Sequence, residues 1–253
     1  MQLLECKQGR QHGRDNHLWN YWVETHRNGI KIYSNLHIFA SKYLPNSPMF
    51  CLDLECGTGV ASIVLKMNKH YVVGLDYKVE GRGLRLAEVR AKEHGISTDF
   101  VQEDGYALPF KDEMFYFINC RSVIERAEQK DRFIQDMHRV LKPNGFVLVT
   151  TSNRFGYKEE HSGLLFANLI SHNLCERYVK SRGRRYQDDE WDVLHPTYYS
   201  LSRSFKNLGF EILADTIDYL LDSRFTKYRM IGKCFKPARY VAPILFILKK
   251  KVE

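Results

Sequence analysis

The stretch Phe50-Cys-Leu-Asp-Leu-Glu-Cys-Gly-Thr-Gly59 decides how this chain is read, because an apolar strand runs there into an acidic turn holding two glycines. Gly57 and Gly59 let the backbone turn sharply and approach a ligand closely, which a Cβ would obstruct. A strand followed by such a turn predicts a cofactor site. Glu55 stands where a third glycine is expected, so the segment that suggests a function also carries its main irregularity.

Working outward, short apolar runs alternate with helical periods from Met49 onward, the pattern of repeated βαβ units around a parallel sheet. Strands are expected at 49–54, 71–75, 98–102, 114–119 and 145–151, with helices over 61–67, 84–93 and 127–141. In the last helix Phe133, Ile134, Met137, Val140 and Leu141 share one apolar face, and Lys142-Pro-Asn-Gly145 predicts the turn that ends it. Upstream, residues 1–47 read as a helical cover. One helix there carries Leu18, Tyr21, Trp22 and His26 on a face, and a second runs through Ile38 and Tyr43 until Pro45.

After Asn153 the alternation lapses until about His195, too long for an ordinary connection, so an insertion over 154–196 is expected, with a helix near Leu164 to Tyr178. Its place after the fifth strand sets it over the carboxyl ends of the sheet, where open α/β folds bind ligands. A helix at 197–208, a strand from Phe210 and a last strand within 240–248 complete the chain. No crossover helix is evident between the final two strands, which predicts an antiparallel pair.

The length of 253 residues suits a single domain, and a 44% hydrophobic fraction without low-complexity tracts argues for a packed globule. The N-terminus lacks the basic start and apolar run of a signal peptide, and no 18 consecutive apolar residues occur. A soluble, cytoplasmic chain without a membrane span is expected. The six cysteines are scattered, with no CxxC pair to suggest zinc or a redox dithiol; reduced thiols and no metal are expected. The net charge of +8 would attract nucleic acid, anionic lipid or an acidic small substrate and does not choose among them. The basic group Lys180, Arg182, Arg184 and Arg185, next to the acidic group Asp188, Asp189, Glu190 and Asp192, reads as a solvated loop.

Three carboxylates recur at strand ends: Asp53 in the first, Asp76 closing Val72-Val-Gly-Leu-Asp76, and Asp104 after Phe100-Val-Gln-Glu. All three should converge on one edge of the sheet. A carboxylate about 20 residues beyond a glycine turn can accept both hydroxyls of a ribose, which gives Asp76 a role. Asp104 could accept from an adenine amino group.

The ordered set Leu52-Asp-Leu-Glu-Cys-Gly-Thr-Gly59, Val73-Gly-Leu-Asp76, Glu103-Asp-Gly-Tyr-Ala-Leu-Pro-Phe110 and His138-Arg-Val-Leu-Lys-Pro-Asn-Gly145 resembles the class I S-adenosylmethionine-dependent methyltransferases of type 11. The likeness covers roughly residues 48–153. It implies a Rossmann-like α/β fold: a seven-stranded, mostly parallel sheet with a reversed last strand and helices on both faces. It implies S-adenosylmethionine as cofactor, S-adenosylhomocysteine as product, and a transferase activity. By matching positions, Asp53, Glu55, Cys56, Gly57 and Gly59 would surround the amino-acid end of the cofactor. Asp76 and Tyr77 would hold the ribose and base, Asp104, Gly105 and Tyr106 would flank the adenine, and Cys120 and Arg121 would face the methyl-bearing sulfur. Three positions depart from the pattern: Glu55 replaces a glycine, Tyr116 an acidic residue of the fourth strand, and Arg126 a common histidine.

Methyl transfer from a sulfonium is an in-line displacement that depends on positioning and on exclusion of water. A base is needed only where the acceptor must lose a proton. His161 is the first candidate, since its ordinary pKa suits proton removal near neutrality, and His195 the second. A small-molecule acceptor is expected, in a pocket under the N-terminal cover and the insertion. Asn119-Cys-Arg-Ser122 stands where an Asn-Pro-Pro-Tyr motif would mark the exocyclic-amine DNA enzymes; RNA stays open as a less favoured acceptor. The competing readings are a non-catalytic binding or regulatory protein with a weakened site, motivated by Glu55, Tyr116 and Arg126, and, less favoured, a nicotinamide-dependent oxidoreductase. Neither the acceptor atom nor the oligomeric state is encoded in a motif.

Overall fold

The computed structural model describes residues 16–77, 79, 83–105, 107–156, 172–183, 195–222 and 241–252, without the side chains of 16–27, 172, 173, 175 and 179. Its strands are β1 (Phe50–Leu54), β2 (Tyr71–Asp76), β3 (Asp99–Gln102), β4 (Phe115–Arg121), β5 (Leu141–Thr151), β6 (Phe210–Asp215) and β7 (Ile244–Lys250). They form one sheet in the order β3-β2-β1-β4-β5-β7-β6. The first five are mutually parallel, and β7 runs antiparallel to both β5 and β6. This is the expected sheet with its reversed last strand.

The central strands read as continuous apolar runs because they are covered on both faces. One face carries helices α1 (Asn16–Ala40) and α2 (Val60–Met67), whose Tyr33, Phe39, Val64 and Leu65 pack with Cys51, Phe117, Leu148 and Ile247. Leu52, Leu54, Ile118, Val147 and Phe246 point to the other face. There they meet Phe133, Ile134, Met137 and Val140 of α4 (Lys130–Val140) and Leu201 and Phe205 of α6 (Tyr198–Asn207). Each of the four α4 side chains contributes about 2 kcal/mol through removal from water. The remaining described α-helices are α3 (Leu84–Glu93), α5 (His172–Ser181) and α7 (Thr216–Leu221), and a 3-10 turn spans Ile124–Arg126.

Three expectations are corrected. The two helices expected before residue 47 are one, α1, which runs through Gly29 to Ala40; a Cβ on Gly29 would meet Val60 Cγ2 at 3.3 Å, so the glycine lets α1 lie close to α2. The turn at 142–145 does not separate α4 from a later strand. Leu141 already pairs with Phe115 and the ladder resumes at Phe146 opposite Phe117, so the four residues bulge out of β5, with Asn144 at φ 59. The short helix α7 was not foreseen, although Asp215 and Asp218 form a reciprocal capping box at its start.

Lys250 and Asp222, buried at the ends of β7 and α7, are matched. Lys250 Nζ donates to the carbonyls of His138 (2.9 Å) and Leu141 (2.8 Å) at the end of α4. Lys42 pairs with the buried Asp222 at 2.9 Å, tying the segment after α1 to the end of α7. No helix among the described residues is long and apolar enough to cross a membrane.

Candidate cofactor site

Strand order reverses between β1 and β4, and the crevice outside the carboxyl ends of the strands at such a point is where open α/β sheets bind ligands. The glycine turn lies there. Leu54 ends β1, Glu55 adopts a left-handed conformation (φ 52), Gly57 does the same (φ 53), and Gly59 (φ 72) caps α2. The two glycines serve different ends. A Cβ on Gly59 would lie 2.9 Å from the Cβ of Ala87, so this residue permits α3 to pack closely. A Cβ on Gly57 would meet nothing within 4 Å; its backbone borders open space.

The turn is held from two sides. Cys56 donates its N–H to the Leu75 carbonyl (2.8 Å), and Gly57 donates its own to Asp76 Oδ2 (2.7 Å), which fixes the turn to the end of β2. From below, Asp53 Oδ2 accepts from the backbone N–H (2.8 Å) and hydroxyl (2.6 Å) of Ser62, and Asp53 Oδ1 accepts from Asn119 Nδ2 (2.7 Å). Burial pushes the Asp53 carboxyl up against the lowering effect of these bonds. Both oxygens being engaged beneath the turn, Asp53 shapes the site instead of lining it. Ser62 and Asn119 were not foreseen: Asn119 is far away in sequence and reaches Asp53 only through the β1–β4 register, which sets the two opposite each other.

Glu55, half-buried, leans towards the loop after β3. Its carboxylate accepts the Gly105 backbone N–H, and a Cβ on Gly105 would lie 2.5 Å from Glu55 Oε1. Burial, then Asp76 and Asp104, raises its pKa to about 7 against the opposing pull of the Gly105 N–H and Arg126. The loop that supplies Gly105 is stapled to α4. Asp136 Oδ2 accepts from the Leu108 N–H (2.6 Å), and Arg139 donates to the carbonyls of Leu108 (2.9 Å) and Phe110 (2.7 Å). Two motifs that the sequence sets apart are thus one unit. Their link was missed because Asp136 and Arg139 read as the polar face of a helix.

The other expected site residues are placed as follows. Asp76 is buried at the end of β2, and the adjoining Tyr77 (50% exposed) and Asp104 are open to solvent. Cys120 is corrected: alternation along β4 turns its side chain into the core with Leu52 and Leu54, and burial, then Glu125, raises its thiol pKa. Arg121 is half-buried at the strand end, Tyr116 is half-buried on the α1–α2 face, and Arg126 is exposed after β4. Glu125, next to Arg126, is buried and accepts the Thr151 hydroxyl; its carboxyl is raised by burial. Tyr106, His161 and most of the 154–196 insertion lie outside the described residues. The ends of that insertion do meet, since the Arg154 N–H donates to the Pro196 carbonyl at 2.9 Å, just beyond β5 and next to His195. Among the described residues no group of three or more His, Cys, Asp or Glu side chains could hold a metal ion.

Comparison with known proteins agrees with this geometry. Residues 52–149 match the family described as "Methyltransferase domain". A ubiquinone biosynthesis O-methyltransferase of Rickettsia felis is 28% identical over 127 residues, 50% of this chain and 51% of that protein, so the chain spans about half the length of this relative. Among solved structures, an S-adenosylmethionine-dependent methyltransferase from Methanosarcina mazei superposes with a TM-score of 0.58 at 20% identity, covering 84% of this chain and 97% of that one. The [4+2]-cyclase SpnF does so with a TM-score of 0.58 at 20% identity, covering 88% and 81%. These two likenesses show the fold and leave its chemistry open, as the cyclase illustrates. Residues 52–149 thus match a methyltransferase domain, and the strand order and the turn bound to the end of β2 are those of the class I fold that the sequence motifs resemble.

Proposed function

We propose that the chain transfers a methyl group from S-adenosylmethionine to a hydroxyl oxygen of a small molecule. The observation that carries this reading is the meeting, at one edge of the sheet, of the open-faced Gly57 turn, the Asp76 carboxylate bonded to it and the stapled loop at Gly105. Room beside Gly57 and a carboxylate at the end of β2 suit an adenosyl ligand with an amino-acid end. On this reading Glu55, Cys56, Gly57 and Gly59 adjoin the amino-acid end and Asp53 holds their turn. Asp76 accepts from the ribose hydroxyls, the exposed ring of Tyr77 stacks beside the base, and Asp104, Gly105 and Tyr106 flank the adenine. Arg121 and the backbone of Cys120 border the sulfur.

The bound sulfonium supplies an electrophilic methyl carbon in an in-line displacement. The chain's part is to place the acceptor on the methyl axis, exclude water and take the hydroxyl proton, a role given to His161. Residues 1–47 and the 154–196 insertion, whose ends meet beyond β5, form the acceptor cover of a single domain. The hydroxyl acceptor is chosen because the Rickettsia relative is named an O-methyltransferase.

The test is transfer of isotopically labelled methyl from the cofactor to a panel of phenols and, in parallel, to RNA. Labelled phenol with unlabelled RNA is expected; labelled RNA alone would replace the acceptor class. A second reading, a binding protein that kept the fold without catalysis, is favoured by the Glu55 carboxylate in the crevice. Cofactor binding with no transfer to any acceptor would support it.

A further inference from the structure

Glu55 puts a charge where the turn needs only a backbone. Its left-handed φ of 52 is a conformation that L side chains adopt at a cost, and its carboxylate is seated on Gly105 instead of extending into solvent. The charged groups around it come from each neighbouring element: Asp76 from the end of β2, Asp104 from the loop after β3 and Arg126 from the segment after β4. The Cys56 and Cys120 thiols, raised first by burial, also feel it, so its field reaches both the turn and the end of β4. Around Glu55 two further carboxylates, Asp76 and Asp104, stand against the exposed Arg126 guanidinium, and a second guanidinium, Arg121, lies at the end of β4.

We propose that Glu55 selects by charge between the two forms of the cofactor, making the site favour the cationic sulfonium over the neutral thioether left after methyl transfer. This rests on the cofactor reading above. S-Adenosylmethionine and S-adenosylhomocysteine share the adenosine, the ammonium and the carboxylate; they differ by one methyl group and the positive charge on sulfur. Repulsion between Glu55 and the ligand carboxylate, or backbone strain at residue 55, therefore acts on both and cancels in the ratio of their affinities. The attraction of Glu55 for the sulfonium does not cancel. Transfer breaks the carbon–sulfur bond, the electron pair stays on sulfur, and the charge that Glu55 favours disappears, so the product is released in preference to fresh cofactor.

Calorimetric titration of both ligands into the full chain, into Glu55→Gln and into Glu55→Gly tests this. At about pH 7.5 the ratio Kd(thioether)/Kd(sulfonium) is expected to be at least ~3-fold higher in the wild-type chain than in either variant, the scale of one partly screened charge. The excess over Glu55→Gln should shrink as the pH is lowered to about 5.5 and Glu55 takes up a proton. A ratio unchanged in Glu55→Gln, even where Glu55→Gly binds both ligands more tightly, would overturn the proposal. If a variant does not fold, the wild-type series decides alone, since a ratio that does not fall with pH contradicts it. Failure of both ligands to bind would instead contradict the cofactor reading, and this proposal with it.

Discussion

At the residue scale the glycine turn is governed by two carboxylates with opposite relations to their surroundings. Asp53 is buried but fully bonded, so Asp53→Ala would leave the Ser62 and Asn119 donors unpaired in the interior. A loss of about 3 kcal/mol in urea unfolding is expected, and a loss below about 1 kcal/mol would show that the network is dispensable. Glu55 sits where its backbone prefers glycine, and Glu55→Gly should raise the stability of the ligand-free chain by about 1 kcal/mol. Its titration adds a pH signature. A carboxyl whose folded pKa of about 7 exceeds its unfolded value binds more protons when folded. The contribution is therefore present at acid pH and lost as pH rises from the ordinary carboxylate range through about 7. Glu55→Gln should lack that fall. The irregularity at residue 55 was legible because a glycine was expected there, whereas the Asp53–Asn119 bond was not, since it depends on which strands become neighbours.

Elements lock the site through their ends and polar faces. Arg139 joins α4 to the carbonyls of Leu108 and Phe110 while pairing with Asp136 (2.6 Å) and Asp112 (2.8 Å), and these acidic partners raise its pKa. Arg139→Ala should lower stability by about 2 kcal/mol and weaken cofactor binding without touching the ligand, because the loop presenting Gly105 loses its staple. Arg139→Lys should recover only part, which paired unfolding and titration experiments would read. On α1, His37 is buried beside His70 with ring centroids 5.5 Å apart, and burial, then His70, lowers its pKa to about 4. An imidazole kept neutral on folding makes stability fall as pH drops from about 6.5 towards about 4, the reverse of the Glu55 effect in an overlapping window. His37→Phe should remove that acid sensitivity in thermal melts at stepped pH. The helices with strong apolar periods, α2, α3, α4 and α6, were legible within a few residues. The single long α1, the bulge in β5 and the short α7 were not, because helix packing, strand register and a local cap settled them.

At the scale of the whole molecule, five strands of a parallel sheet and an antiparallel final pair could be read from the alternation of short apolar runs, and the seven-stranded sheet with its reversed last strand was implied by the resemblance; the order β3-β2-β1-β4-β5-β7-β6 was read from neither. What the alternation does not encode is the cover. The described ends of the insertion, Arg154 and Pro196, meet just beyond β5, and on the proposed reading what lies between them selects the acceptor without a recurring motif. The fold brings Gly57, Asp76, Glu55 and Gly105 into one crevice from three separate strand ends, and the central claim is that this crevice holds an adenosyl sulfonium. Calorimetric titration of S-adenosylmethionine into the full chain and into Asp76→Ala tests it most directly. Saturable one-to-one binding to the wild-type chain, weakened at least ~10-fold in Asp76→Ala, is predicted, since that variant loses both the ribose acceptor and the bond to Gly57. No heat from the wild-type chain at millimolar ligand, or equal binding by the two proteins, would contradict it.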